Sequence, residues 1–196
     1  HAYGEKPLTV FRSMLWRCEK ERLMPLFKNG AFVDDPWQTL ADDVAVPADR
    51  AVIVSKARYL AERDDLSGRN APLGLLLQPG EELEAVEADI PRFAVIALAF
   101  PKFSDGRSYS VARLLRERHG FAGELRATGN ILRDQVNFLH RCGFDALEVT
   151  HPGTIAALEK GAITFVHRHY QPAAIDAAEV APPAGRPRLR VTPGEA

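Results

Sequence analysis

Apolar and polar positions along this chain change period repeatedly, and each change marks an element. Between residues 93 and 100 the sequence FAVIALAF is apolar almost throughout, as expected of a strand covered on both faces. Shorter strand patterns occur at 51–54, 73–77, 124–127 and 146–149, and each is followed by a helical one. Ser55 is placed to cap a helix through Tyr59, Leu60 and Ala61. A short acidic helix is predicted over 81–88. The longest runs over 108–119, with Val111, Ala112, Leu114 and Leu115 as its apolar face and Arg113, Arg116 and Glu117 toward water. Helices over 134–142 and 152–160 end at Gly143 and Gly161, as the longest ends at Gly120.

These segments make about five βα units between residues 51 and 161. The fold class is therefore α/β with a mainly parallel sheet, either open or curled like half a barrel, and with right-handed crossovers. Ahead of them LFKNGAFVDD sets apolar runs on either side of Asn29-Gly30, the pair best suited to a type I′ turn, so an N-terminal β-hairpin is predicted. Trp37 and Leu40 then lead into an acidic stretch with Asp42, Asp43, Pro47 and Asp49, expected to be solvated. Residues 24–172 read as one domain. The polar segment 1–23 reads as an extension or a remnant of expression design. Residues 163–170 read as one further strand or a short helix, and the Pro- and Arg-rich 173–196 as a disordered tail.

Composition narrows the function classes. The 196 residues carry 25 Lys plus Arg against 26 Asp plus Glu, a net charge of -1, which removes any global electrostatic case for nucleic acid or an anionic membrane. No apolar run reaches the length of a membrane span. Cys18 and Cys142 stand far apart, with no CxxC pair and no Cys/His cluster at zinc spacing, so a reducing cytoplasm is the expected compartment and no metal site is expected.

Charge becomes informative locally. Between residues 102 and 133 seven basic residues (Lys102, Arg107, Arg113, Arg116, Arg118, Arg126, Arg133) face three acids (Asp105, Glu117, Glu124). The stretches 102–109 and 128–135 each follow a strand and lead into a helix, so in a parallel sheet both open at the strands' carboxyl ends, where such folds bind ligands. Lys102, Ser104, Arg107 and Ser108 in the first, and Thr128, Asn130 and Gln135 in the second, are the candidate ligand-binding residues, with Arg126 supplying a further cation. Lys102, Asp105, Arg107 and Asn130 are expected to line one concavity, with an anion or Asp105 as counter-ion between the cations. Asp105 and Tyr109 are the acid/base candidates. Asp134 reads first as a helix cap.

The remaining polar groups carry less. Cys142 falls with Val136 and Leu139 on the buried side of its helix, where a thiol without a base is inert. His119 sits at a helix end, where a cation is favourable, His151 precedes a Pro, and His167 and His169 lack a third ligand. Neither a dinucleotide fingerprint nor a phosphate-binding loop is present, so the cofactor stays open.

The phrases FPKFSDGRSYSVARLLRER, GELRATGNILRDQ and RCGFDALE, with LFKNGAFVDDPW and RNAPLGLLL before them, resemble the bacterial domain-of-unknown-function 934 family over residues 25–172. Members of that family are commonly labelled probable oxidoreductases involved in sulfite reduction, a label that rests on genes lying beside those of sulfite reductase. The resemblance implies a place in sulfur metabolism and carries no catalytic residue or cofactor. Three readings stay open. One is an accessory protein of assimilatory sulfite reduction that binds a small anion or docks on sulfite reductase. Another is an oxidoreductase or other enzyme acting on a small polar substrate. The third is a homodimeric interaction domain.

Overall fold

The computed structural model describes residues 25–164. The expected extension over 1–23, the tail over 173–196, Cys18 and the His167/His169 pair lie outside the described residues. Strands β1 (Leu26–Lys28) and β2 (Ala31–Val33) form the predicted hairpin. Its two central residues, Asn29 at φ 53° and Gly30 at φ 81°, are both left-handed, as the type I′ turn demands.

Beyond the hairpin the chain alternates strand and helix largely as its periodicity predicts, with β3 and the second helix as additions. It runs through β3 (Gln38–Thr39), β4 (Val52–Ser55), α1 (Lys56–Ala61), α2 (Arg63–Ser67), β5 (Leu73–Leu77) and a 3-10 helix, Glu84–Arg92. There follow β6 (Val95–Phe100), α3 (Arg107–Glu117), β7 (Glu124–Gly129), a 3-10 turn (Arg133–Gln135), α4 (Val136–Arg141), β8 (Ala146–Val149) and α5 (Pro152–Glu159). Ser55 caps α1 by accepting from the Arg58 N–H at 3.1 Å. The two-residue β3 is polar and exposed; its pairing with β4, not its composition, makes it a strand. The acidic segment expected over 81–88 lies later and winds as a 3-10 helix with Pro91 inside it, a residue that has no N–H for an α-helical bond.

Among the described residues eight strands form one sheet of order β2-β1-β8-β7-β6-β5-β4-β3. Strands β3 to β8 are parallel and lie in sequence order, while β1 pairs antiparallel with β8 and β2. Opposite edges of the sheet, β2 and β3, are joined by only Asp34, Asp35, Pro36 and Trp37. The five peptide steps from Val33 to Gln38 span at most about 18 Å, whereas eight strands laid flat would set the edges about 34 Å apart. The sheet is therefore curled into a half-barrel, and the linker crosses its open side.

The outer face carries the main core. Val54, Leu75, Leu98, Phe100, Leu125 and Val149 pack there against the helical layer, which contributes Tyr59, Ile90, Leu115 and Leu139. Ile53, Val95 and Ala97 form a separate inner cluster closed by Trp37 and Leu76. Gly74 makes room for that lid: a Cβ there would stand 2.8 Å from Ile53 Cγ1 and 3.4 Å from Trp37 Cζ3.

Two expectations about α3 need correction. Its buried stripe is Ser108, Ala112 and Leu115, while Leu114 stays 38% exposed. Arg116 does not face water. With its side chain 14% exposed, it donates to the carbonyls of Gly143 and Gly123, both at 3.0 Å, and of Phe121, and pairs with Asp145 at 2.5 Å. Loop carbonyls left without strand partners draw the guanidinium inward.

Candidate functional site at the mouth of the curled sheet

Because β6 and β7 are parallel and Phe100 pairs with Gly129, the two loops singled out from the sequence leave the sheet at one end. They are also joined. The Asn130 N–H donates to the Phe100 carbonyl at 2.9 Å, and Gln135 Nε2 donates to the Tyr109 hydroxyl at 2.9 Å. The loop after β8 fastens to the same edge, since Thr150 Oγ1 donates to the Gly129 carbonyl and Thr154 Oγ1 to that of Ile131, each at 3.0 Å. Gly129 permits this meeting: its φ is +115°, and a Cβ on it would lie 2.6 Å from the Phe100 carbonyl oxygen.

Side chains at this edge divide into committed and free-standing groups. Ser108 is buried and donates to the Ala99 carbonyl at 2.9 Å. Gln135 is buried as well: its Oε1 accepts from the Leu132 N–H, and its amide nitrogen serves Tyr109. Both side chains thus serve hydrogen bonds within the protein. Tyr109 is half-buried between the Phe100 and Phe138 rings, whose centroids lie 5.0 and 4.7 Å away, and burial pushes its phenol up. Lys102, Ser104 and Asn130 are exposed.

Asp105 holds Arg107 in a bidentate pair at 2.9 and 2.7 Å. The Arg107 hydrogen bond keeps the Asp105 carboxyl below its ordinary range, so it stays ionised and is a weak base. The internal counter-ion anticipated for Arg107 is thus Asp105. The cleft of ≈ 530 Å³ beside Arg107 is lined on the helix side by the segment 80–84 and by α3, and Lys102, Asp105 and Asn130 are not among its walls.

Arg126 is not at the loop edge. It lies 1% exposed on the inner face of β7, bonded to Asp35 at 2.5 and 3.1 Å and to Glu124 at 2.9 and 2.8 Å. Burial alone would lower its pKa, but the two carboxylates more than offset that and raise it. Lys28 closes the other side of Glu124 at 2.6 Å. Two cations are matched by two carboxylates, and Glu148 is the third acid of the group. It sits on β8, 8% exposed and in register with Thr128. Burial drives its pKa up; the Thr128 hydrogen bond and the charge of Arg126 pull it back in part, and Asp35 pushes it further up.

Sequence reasoning missed Glu148 and Asp35. The signal was present: ELRATG alternates polar and apolar strictly, and ALEV sets a lone carboxylate in a buried strand. In a sheet covered by helices on one face, alternation of that kind marks a polar inner face. Asp35 carried no such mark, because its role depends on the linker crossing the sheet.

Cys142 is buried, its thiol pushed up by burial, as a structural cysteine should be. His151 caps α5 by accepting from the Thr154 N–H at 3.2 Å. Among the described residues no group of three or more His, Cys, Asp or Glu is arranged to hold a metal ion, and no helix is long and apolar enough to cross a membrane.

No curated protein matches this chain. The family described as a bacterial protein of unknown function (DUF934) matches residues 74–180, a span that begins within β5 and holds β6 to β8, both loops and Glu148. With 107 of 196 residues inside that match, the chain belongs to the DUF934 family.

Proposed function

We propose that this protein is an accessory factor of assimilatory sulfite reduction that docks on sulfite reductase through the loop edge after β6 and β7. The observation that carries this reading is Phe103, 55% exposed in the loop between β6 and α3, with exposed Lys102 beside it and the Arg107–Asp105 pair behind. Aromatic residues, Phe among them, are enriched where protein surfaces meet, and the partner comes from the resemblance drawn above. The anion form of the idea has less support, because Arg107 and Arg126 each hold carboxylates already.

Affinity capture of purified sulfite reductase tests the reading. The parent chain is expected to retain the reductase, and the double substitution Phe103→Ser with Lys102→Glu to weaken retention at least about tenfold. Equal retention by both chains, or none by the parent, overturns it. Calorimetric titration with sulfite, sulfate and phosphate tests the anion form, which requires millimolar or tighter binding that Arg107→Ala removes.

Glu148 favours a second reading, an enzyme acting on a small polar substrate. A buried carboxyl that resists ionisation, at the carboxyl end of a strand in a curled sheet, is suited to proton transfer. An absorption spectrum of the freshly purified protein separates the two: a flavin, haem or iron–sulfur band favours the oxidoreductase.

A further inference from the structure

The cleft between the segment 81–92 and α3 plays no part in the proposed function. It has an acidic rim of Glu81, Glu82, Glu84 and Glu87 and an apolar floor of Val111 and Leu114. Among the described residues Leu114 is one of the few large apolar side chains left exposed, and it borders a depression of ≈ 530 Å³. Two arginines, Arg107 and Arg118, also border it. Arg107 is neutralised by Asp105, and His119 stands 3.5 Å from Glu87. The cleft therefore keeps an excess of negative charge over an apolar base. Its size suits a few extended residues and not a folded partner.

We infer that the cleft takes residues 186–191 of this same chain. That segment reads Arg186-Pro187-Arg188-Leu189-Arg190-Val191 and alternates cation and apolar residue without a break. In an extended chain successive side chains point to opposite sides. One edge then carries three guanidinium groups for the glutamate rim, and the other carries Pro187, Leu189 and Val191 for the floor formed by Val111 and Leu114. Reach does not limit the contact. Arg186 follows the last described residue, Thr164, by 22 positions, up to about 75 Å of chain, whereas a domain of this size has a radius of gyration of about 14 Å. Tethering favours the chain's own segment over one from another molecule, because a covalent connection makes the encounter intramolecular, at an effective concentration of ~1 mM.

A spin label reads the contact in the intact chain. With Cys18→Ser to remove the competing thiol, Leu189→Cys carries a nitroxide, and the amide signals of Val111 and Leu114 are followed by NMR. They are expected to broaden strongly, and to recover in ~1 M salt, where screening shortens electrostatic reach to about 3 Å. Reversal of the three tail arginines (Arg186→Glu, Arg188→Glu, Arg190→Glu) is expected to abolish the broadening. Its amide spectrum over the described domain verifies that the fold is kept. Adding Glu82→Lys, Glu84→Lys and Glu87→Lys to that reversal restores the broadening. The inference is overturned if the signals of Val111 and Leu114 never broaden, or if the tail reversal leaves the effect intact. It is equally overturned if broadening appears only between labelled and unlabelled molecules mixed together, which makes the occupant a second copy.

Discussion

Glu148 shows how one side chain's surroundings set its chemistry. Lys28 and Arg126 are already matched by Glu124 and Asp35, so a further negative charge on the inner face is the one least compensated. Burial raises its pKa, and the sign of the consequence follows. The folded state keeps a proton on Glu148 at pH values where the unfolded chain, with an ordinary glutamate near 4.3, has released it. Stability from this group is therefore fully present below the unfolded value and is lost as pH rises toward the folded one. Glu148→Gln removes that dependence, so the melting temperature of the variant relative to the parent should climb as pH is raised from about 4.5 to 8; a constant difference in thermal scans would refute it. Gly129 is a second position fixed by its surroundings. Ala there must adopt φ +115° with its Cβ against the Phe100 carbonyl, and a loss of about 2 kcal/mol or more is expected in urea unfolding.

At the scale of elements, the loops after β6 and β7 act as one unit through Tyr109 and Gln135. Tyr109→Phe deletes one hydrogen bond and should cost about 1 kcal/mol. Gln135→Ala deletes that bond and also leaves the Leu132 N–H without its acceptor, so about 2 kcal/mol is expected. In the double variant the shared bond is counted once, and a coupling energy of about 0.5–1 kcal/mol measured by chemical denaturation would verify the link. The elements themselves were largely legible. Strands over 73–77 and 146–149, the Asn29-Gly30 turn and the Gly120, Gly143 and Gly161 stops all follow from local pattern. The short helix after α1 and the strand β3 did not, because six polar or charged residues gain their conformation from tertiary pairing and not from propensity. The loop edge was foreseen as a place. Its charges were misjudged because counting cations along the chain omits the carboxylates that the fold brings to them, Asp35 from 91 positions away being the extreme case.

At the scale of the whole molecule, the step from parallel sheet to curled half-barrel rests on connectivity. A four-residue linker joins the two edges of an eight-stranded sheet, and no strand's own pattern records that. The linker is fixed in place from inside. Asp35 accepts from the Trp37 N–H at 3.0 Å and grips Arg126 at the middle of β7, while Trp37 covers Ile53 and Gly74. Asp35→Ala should therefore act on the closure as a whole. It leaves a guanidinium that is 1% exposed with Glu124 as its remaining partner, and about 3 kcal/mol of destabilisation is expected, the lower part of the range for breaking a buried pair. Replacing both partners, Asp35→Leu with Arg126→Met, removes the stranded charge as well and should cost less than Asp35→Ala alone. Hydrogen exchange supplies the spatial test. If the ion pair holds the curl, Asp35→Ala speeds exchange of the β3 and β4 amides across the linker, while the Leu/Met pair restores slow exchange there. Equal exchange in all three proteins would mean that Trp37 and the inner apolar cluster hold the sheet closed without the charge.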